Sequence, residues 1–308
     1  AVVEAGINEP GEMATMAAMI RADLGVVTTV QPVHLEKLGS IGNIAREKCR
    51  LLETASEALI PASCLSFVPF RKLGPPQTIF QLDRGGSRTP FTFGLGPQYR
   101  VDDTAEGRCA ITLTFPGSLP ETFTTRRISG GVAQTAALAL AAAMMCGIAP
   151  ADIRQRLRGW ASSAARGEVI ERAGKWFFVD CYNASPGSLV DSAEHFARIA
   201  PPALPRLFVL GGMKELGPEW PRWHREAAAL IEVRPQDCVA CIGLEAEALA
   251  EGLVQAGART AQVACFEATA DAAAMVAAFD GAVFLKGSRA YALERLVPAP
   301  QREEVAVC

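Results

Sequence analysis

Apolar residues recur along this chain in two rhythms. Near both ends, short continuous apolar runs, the pattern of strands buried on both faces, alternate with stretches whose apolar positions repeat roughly every three or four residues, as on an amphipathic helix. "AVVEA" (1–5) predicts a buried strand, followed by a helix over about 11–21. "LGVVTTV" (24–30) predicts a second strand, and "SIGNIAREKCRLLETA" (40–55) a helix capped by Ser40. Strand and helix in alternation give a parallel α/β pattern.

Between about 57 and 128 the rhythm shortens. "TIFQLDRGG", "FTFGLG", "QYRVDD", "CAITLTF" and "ETFTTRRI" alternate polar with apolar residues between glycines and prolines, and predict antiparallel strands or hairpins. Helices are expected near 131–147 and 150–159, and "ASSAARGE" reads as a boundary loop. From 168 the first rhythm returns: strands "KWFFVD", "RLFVL", "CVACI", "AQVAC" and "AVFLKG", with helices between them over about 186 onward, 219–232, 244–256 and 268–279, and a last helix. Five strands so separated describe a doubly wound, Rossmann-like second domain. The expected division is 1–162 and 163–308.

A length of 308 residues suits about two domains, and 50% hydrophobic residues supply their cores. The formal net charge is −3 with basic residues scattered, which excludes the basic footprint of a nucleic-acid binder. No apolar run reaches the ~20 residues of a membrane span, and "TAALALAAAMM" (135–145) reads as a buried helix. The start of the chain lacks a secretory signal pattern. Nine cysteines, an odd number, read as thiols in a reducing compartment, so the cytoplasm is expected. Cys238 and Cys241 form a C-x-x-C, but without a second such pair or a nearby histidine they read as a core strand.

In open α/β sheets ligands gather beyond the carboxyl ends of the strands. The polar residues there are Glu4, His34, Asp180, Asn183, and the group Lys286, Ser288 and Arg289. A carboxylate and a histidine at neighbouring strand ends could ligand a divalent cation. Alone, the histidine reads as a loop hydrogen-bonder and the glutamate as a cap. Lys48 sits inside a predicted helix, where composition gives only a solvated lysine. His195 and His224 fall on predicted helices and read as structural.

Five segments, "EAGINEPGE" (4–12), "HLEKLGSIGNIAREK" (34–48), "DCYNASPGSL" (180–189), "LGGMKELG" (210–217) and "LKGSR" (285–289), occur in this order. Together they resemble the Mur ligase family, in particular its MurF branch. The resemblance implies part of a P-loop-type central Mur ligase domain followed by a Rossmann-like C-terminal domain. It also implies an ATP-dependent ligase that joins D-alanyl-D-alanine to UDP-N-acetylmuramoyl-tripeptide through an acyl phosphate, with ATP and Mg2+ bound and a monomer expected. By the same resemblance Glu4, His34 and a carbamylated Lys48 hold the metal and serve catalysis. Arg166, Asp180 and Asn183 contact the nucleotide, with Tyr182 in the adjoining motif. Lys286, Ser288 and Arg289 lie near the acceptor substrate, and His224 matches a histidine often seen in the family.

The family's P-loop, which ends in glycine, lysine and threonine or serine, has no counterpart anywhere in the chain, nor is there a domain to grip the UDP-sugar. The chain therefore reads as the latter part of a ligase, beginning partway through the central domain, and alone it is expected not to turn over. Thr29 replaces an asparagine of the family, and Gly131 and Thr135 replace a histidine and an asparagine at the start of the alanine-rich helix. Both departures count against ATP affinity. Two alternatives follow: a non-catalytic, degenerate ligase that acts as a binding protein, and a Mur-type ligase with another acceptor.

Overall fold

Parallel strands are ordinarily covered on both faces, and the apolar runs meet that demand in two separate sheets. The computed structural model describes residues 1–73 and 96–299, together with the strand at 78–84. It divides into two compact units, Ala1–Ala161 and a second from Ser162 onward.

The first unit holds six strands in sequential order: β1 (Leu24–Val26), β2 (Glu57–Pro61), β3 (Thr78–Arg84), β4 (Gln98–Asp103), β5 (Arg108–Thr114) and β6 (Glu121–Arg126). β2 is buried on both faces, and this explains its unbroken apolar run. Leu59 packs with Ile111, Phe123, Ala137 and Leu138, the last two on the helix Gly130–Met145. Ala58 and Ile60, one step along the strand and so on the other face, pack with Ala45, Cys49 and Leu52 of the helix Ile41–Glu53. That helix starts where expected: the Ser40 side chain accepts the Asn43 N–H at 3.1 Å, a cap worth about 1 kcal/mol.

Three expectations for this unit need correction. Residues 1–7 form no strand, Val2 and Val3 are exposed, and β1 has no neighbour on its outer side among the described residues. An apolar run makes a strand only when a partner ladder is present to satisfy its backbone. The second expected strand, 24–30, closes at Val26. Only β4, β5 and β6 form the antiparallel meander; β1, β2, β3 and β4 pair in parallel. "FTFGLG" lies almost wholly outside the described residues.

The second unit contains β7 (Glu168–Arg172), β8 (Lys175–Val179), β9 (Arg206–Gly211), β10 (Cys238–Ile242), β11 (Val263–Phe266) and β12 (Ala282–Lys286), in the order β11-β10-β9-β12-β8-β7. The five expected strands are parallel, and β7 is an added antiparallel edge. β7 and β8 are joined by a two-residue turn in which Ala173 and Gly174 both take positive φ, 51° and 71°. The chain passes from β8 over the place of β12 to β9, runs outward to β11, and returns, so the strand order reverses beside β12.

One face carries Phe178, Phe208 and Phe284 against Phe196 of the helix Pro186–Ile199, with the Phe196 and Phe284 rings 5.2 Å apart. The other buries Val209, Val283 and Leu285 under Ala272 and Val276. The last expected helix is instead two short 3-10 turns, Arg289–Tyr291 and Leu293–Leu296. At the amino ends of β9 and β10, Arg206 and Asp237 form a buried ion pair at 2.5 Å that also engages Arg234. This locks the edge opposite to the one that could receive a ligand. No helix among the described residues is long and apolar enough to cross a membrane.

Candidate functional site

The carboxyl edge of the second sheet gathers its polar side chains into two groups flanking β12. In the first, Asp180 follows β8 directly and its N–H continues the ladder by donating to Leu285 O at 3.0 Å. Lys286 ends β12 and is only 4% exposed. Its Nζ lies 2.8 Å from Asp180 Oδ2 and donates to Asn183 O at 3.0 Å. The Ser192 hydroxyl donates to the same Oδ2 at 2.7 Å. Asp180 Oδ1 is thereby left, among the described residues, without a hydrogen bond.

The helix bearing Ser192 begins with Ser185 as N-cap, Pro186 in the first turn and Ser188 closing a capping box. The capping residues therefore set where Ser192 meets Asp180. Asn183 is exposed, and its Oδ1 accepts the Ala184 N–H at 2.9 Å. Arg166 is exposed with its guanidinium 4.0 Å from the centre of the Tyr182 ring. Cys181 is fully buried beside Glu294, and burial pushes its thiol up to about 12. Glu294 in turn holds Arg289 at 2.7 Å.

The second group lies between β9, β10 and the turn after β12. Gly211 and Gly287 approach so closely that a Cβ on Gly287 would sit 2.8 Å from Gly211 Cα. This contact lets the Ser288 N–H reach Gly212 O at 3.1 Å, while the Ser288 hydroxyl accepts the Lys214 N–H at 2.9 Å. Lys214 Nζ pairs with Glu245 at 2.6 Å, the Tyr291 hydroxyl donates to the same carboxylate, and the Tyr291 ring lies 4.9 Å from the ammonium.

Burial is the largest influence on Glu245 and would raise its carboxyl, but the hydrogen bonds from Lys214 and Tyr291 outweigh it and hold the group below the usual range. Beneath this group His224 is fully buried, with Nε2 accepting the Met213 N–H at 2.8 Å and Nδ1 facing Trp220 O at 2.6 Å. These partners require the neutral ring with its proton on Nδ1, and burial lowers its pKa accordingly. His195 is buried against Phe178 in the aromatic core, on the helix Pro186–Ile199.

In the first unit the candidates are placed differently. Glu4 is exposed in the irregular segment, and His34 takes a left-handed φ of 53° before the short helix Leu35–Leu38. Lys48 is half-buried, and its Nζ donates to Thr29 O at 2.7 Å. Burial lowers its pKa. Among the described residues no group of three or more His, Cys, Asp and Glu side chains is arranged to hold a metal ion. Cys238 and Cys241 lie on β10, as the core-strand reading of that motif expects.

Glu47, Lys214, Glu245 and Tyr291 were absent from the sequence candidates. The buried Glu47 accepts the N–H of Gly11, the residue before the helix Glu12–Ile20, at 2.9 Å. Glu245 follows β10, so the strand-end rule could have found it; Tyr291 carries no local signal.

Comparison with known proteins gives two family matches, Mur ligase middle domain over residues 1–66 and Mur ligase, glutamate ligase domain over residues 165–289. The UDP-N-acetylmuramoyl-tripeptide–D-alanyl-D-alanine ligase of Bacillus subtilis (strain 168) is 27% identical over 264 residues, which is 83% of this chain and 53% of that protein. Its namesake in Treponema pallidum (strain Nichols) is 27% identical over 320 residues, 98% and 63% respectively. Among solved structures, a MurF from Acinetobacter baumannii superposes with a TM-score of 0.77 at 19% identity, covering 94% of this chain and 62% of that one. A MurF from Thermotoga maritima in complex with ADP gives 0.71 at 21% identity, covering 94% and 64%. The chain thus spans between about half and two thirds of the length of these relatives.

Proposed function

The chain belongs to the Mur ligase family, of which it carries middle and C-terminal domains, and we propose that it is part of a UDP-N-acetylmuramoyl-tripeptide–D-alanyl-D-alanine ligase that works as a cytoplasmic monomer in peptidoglycan synthesis. The observation that carries this reading is Lys286, buried at the carboxyl end of β12 and fixing Asp180 with one carboxylate oxygen still open. The site stands where the strand order reverses, the position at which open α/β sheets bind nucleotides.

In the proposed reaction a carboxylate oxygen of the tripeptide bonds to the γ-phosphorus of ATP as the bond to ADP breaks and ADP leaves. The amine of the dipeptide then attacks the acyl phosphate carbonyl, an amide forms as the C–O bond to phosphate breaks, and phosphate and the amine proton leave. Several anionic oxygens must meet, and fixed cations and donors offset their repulsion. Asp180 Oδ1 would accept a ribose hydroxyl, its geometry held by Lys286 and Ser192. Arg166, stacked on Tyr182 beside the exposed Asn183, would meet the phosphates. Ser288, Arg289 and Lys286 would border the acceptor.

The magnesium ion implied by the resemblance is a different matter. Among the described residues neither Glu4 nor His34 belongs to a group of three His, Cys, Asp or Glu side chains that could hold a metal ion, and Lys48 as an ammonium donates to a carbonyl rather than ligating. The residues as placed do not fit that ion, and no step is assigned to it.

The test is ADP release by the product of the full reading frame that encodes these residues. It should require both UDP-N-acetylmuramoyl-tripeptide and D-alanyl-D-alanine, and Asp180→Asn should raise KM for ATP about tenfold, the loss of roughly one hydrogen bond to a charged group. Residues 1–308 alone, without the P-loop sequence, should release none. Release that needs neither substrate, or another amine in place of the dipeptide, would refute the assignment. A non-catalytic binding protein is the second reading, favoured by Thr135, whose hydroxyl is turned back to Gly131 O at 3.1 Å.

A further inference from the structure

Cys241 on β10 and Cys265 on β11 stand directly opposite each other in parallel register. Side chains in register on adjacent strands leave the same face of the sheet, with strands about 4.8 Å apart. That spacing falls within the Cα separation of about 4.4–6.8 Å that a disulfide bridges. Cys238, three residues before Cys241, points to the opposite face, so the C-x-x-C of the sequence is not the pair that the fold creates.

The two thiols have opposite environments. Cys241 is fully buried, whereas Cys265 is exposed on the edge strand. Interaction with the Cys241 thiol holds Cys265 down at about 7, while Cys241 itself is pushed well up. Buried thiols elsewhere shift as Cys241 does and opposite to Cys265: burial raises Cys49 to about 11 and Cys64 to about 12. A thiolate open to solvent beside a thiol shielded from it is the arrangement of an attacking and a resolving cysteine.

We propose that Cys265 is a hydroperoxide-reactive thiol and Cys241 its resolving partner, which makes the β10–β11 edge a site of reversible oxidation. The Cys265 thiolate attacks the outer oxygen of a hydroperoxide. An S–O bond forms, the O–O bond breaks, and the alcohol or water leaves after taking up a proton. The Cys241 sulfur then attacks the sulfenic sulfur; an S–S bond forms, the S–O bond breaks, and the hydroxyl departs as water with the Cys241 proton. A small thiol reverses the bridge by exchange. The cross-link would fasten the edge strand to β10, whose carboxyl end leads to Glu245.

The experiment treats the chain with one equivalent of hydrogen peroxide near neutral pH, alkylates the remaining thiols, and maps the peptides by mass spectrometry. Cys146, also exposed, is the internal comparator. Cys265 should react about tenfold faster than Cys146, because contact with Cys241 lowers its own pKa. The product should be a Cys241–Cys265 cross-link that dithiothreitol reverses. Cys241→Ala should leave Cys265 as a sulfenic acid that dimedone traps, formed more slowly because the contact that lowers its pKa is gone, and Cys265→Ser should abolish both products. Equal rates at Cys265 and Cys146, or a bridge from Cys265 to Cys238 or to any cysteine other than Cys241, would overturn the proposal. The wild-type map decides this even if a variant fails to fold.

Discussion

Lys286 Nζ and Asp180 Oδ2 meet at 2.8 Å although 106 residues separate them in sequence. Removing one partner of a nearly buried pair leaves the other without its compensating charge, at about 3 kcal/mol. Lys286→Met and Asp180→Asn are each expected to lower stability toward urea by that order. The double variant should lose clearly less than the sum, because the second change removes the stranded charge left by the first. Additive losses in the urea transition would show that the pair is not coupled.

That pair also marks the limit of what the chain reveals before it is folded. The helix after Ser40 and the strands from Lys175 onward were legible, because a local signal fixes each: a cap, or an apolar run that both faces must bury. β7 was hidden by its turn. A two-residue hairpin with both central φ positive usually advertises itself as Asn-Gly, and here Ala173 occupies the first place at a φ of 51°. Pairing direction was illegible for β3, since a short alternating segment can pair either way, and the unbroken apolar run of β2, which points to burial on both faces, was missed. Asp180 and Lys286 could each be picked from a strand end, and Lys214 lay within a quoted motif. Their grouping with Ser192, Glu245 and Tyr291 depends on strand order, which no short segment encodes.

His224 predicts a pH effect. Its folded pKa is depressed by burial, whereas in the unfolded chain it returns to about 6.5. Between those values the unfolded state binds more protons, so stability is complete above about 6.5 and is lost as pH falls through the folded pKa. His224→Gln keeps an acceptor for the Met213 N–H and a donor for Trp220 O without a group that titrates. The drop in Tm between about pH 7.5 and about pH 5.5 should be smaller in this variant than in the wild type. Parallel curves would assign the acid sensitivity elsewhere.

The glycine after β10 predicts a steric effect. Gly243 has a φ of +101°, and a Cβ there would lie 2.2 Å from the Tyr291 hydroxyl. Gly243→Ala should therefore cost about 2–3 kcal/mol, part backbone strain and part displacement of Tyr291 from Glu245. Gly107→Ala is the control, because its φ is +69° with open space around it, so strain alone remains. Adding Tyr291→Ala should recover part of the Gly243→Ala loss. Equal urea midpoints for Gly243→Ala and Gly107→Ala would remove the clash from the account.

Lys48 predicts a chemical effect. Burial lowers its pKa, so at mildly alkaline pH more of it is neutral amine than of a solvated lysine. Only the neutral amine attacks carbon dioxide, forming an N–C bond with release of a proton. The carbamate keeps one N–H, enough to preserve the bond to Thr29 O that now holds the side chain. Isotope-labelled bicarbonate at about pH 8 should give a carbamate resonance that Lys48→Gln eliminates. A resonance that survives in Lys48→Gln would place the carbamate on another amine. If no resonance forms, the ammonium bonded to Thr29 is the resting state, and Lys48 serves the loop after β1 rather than any metal.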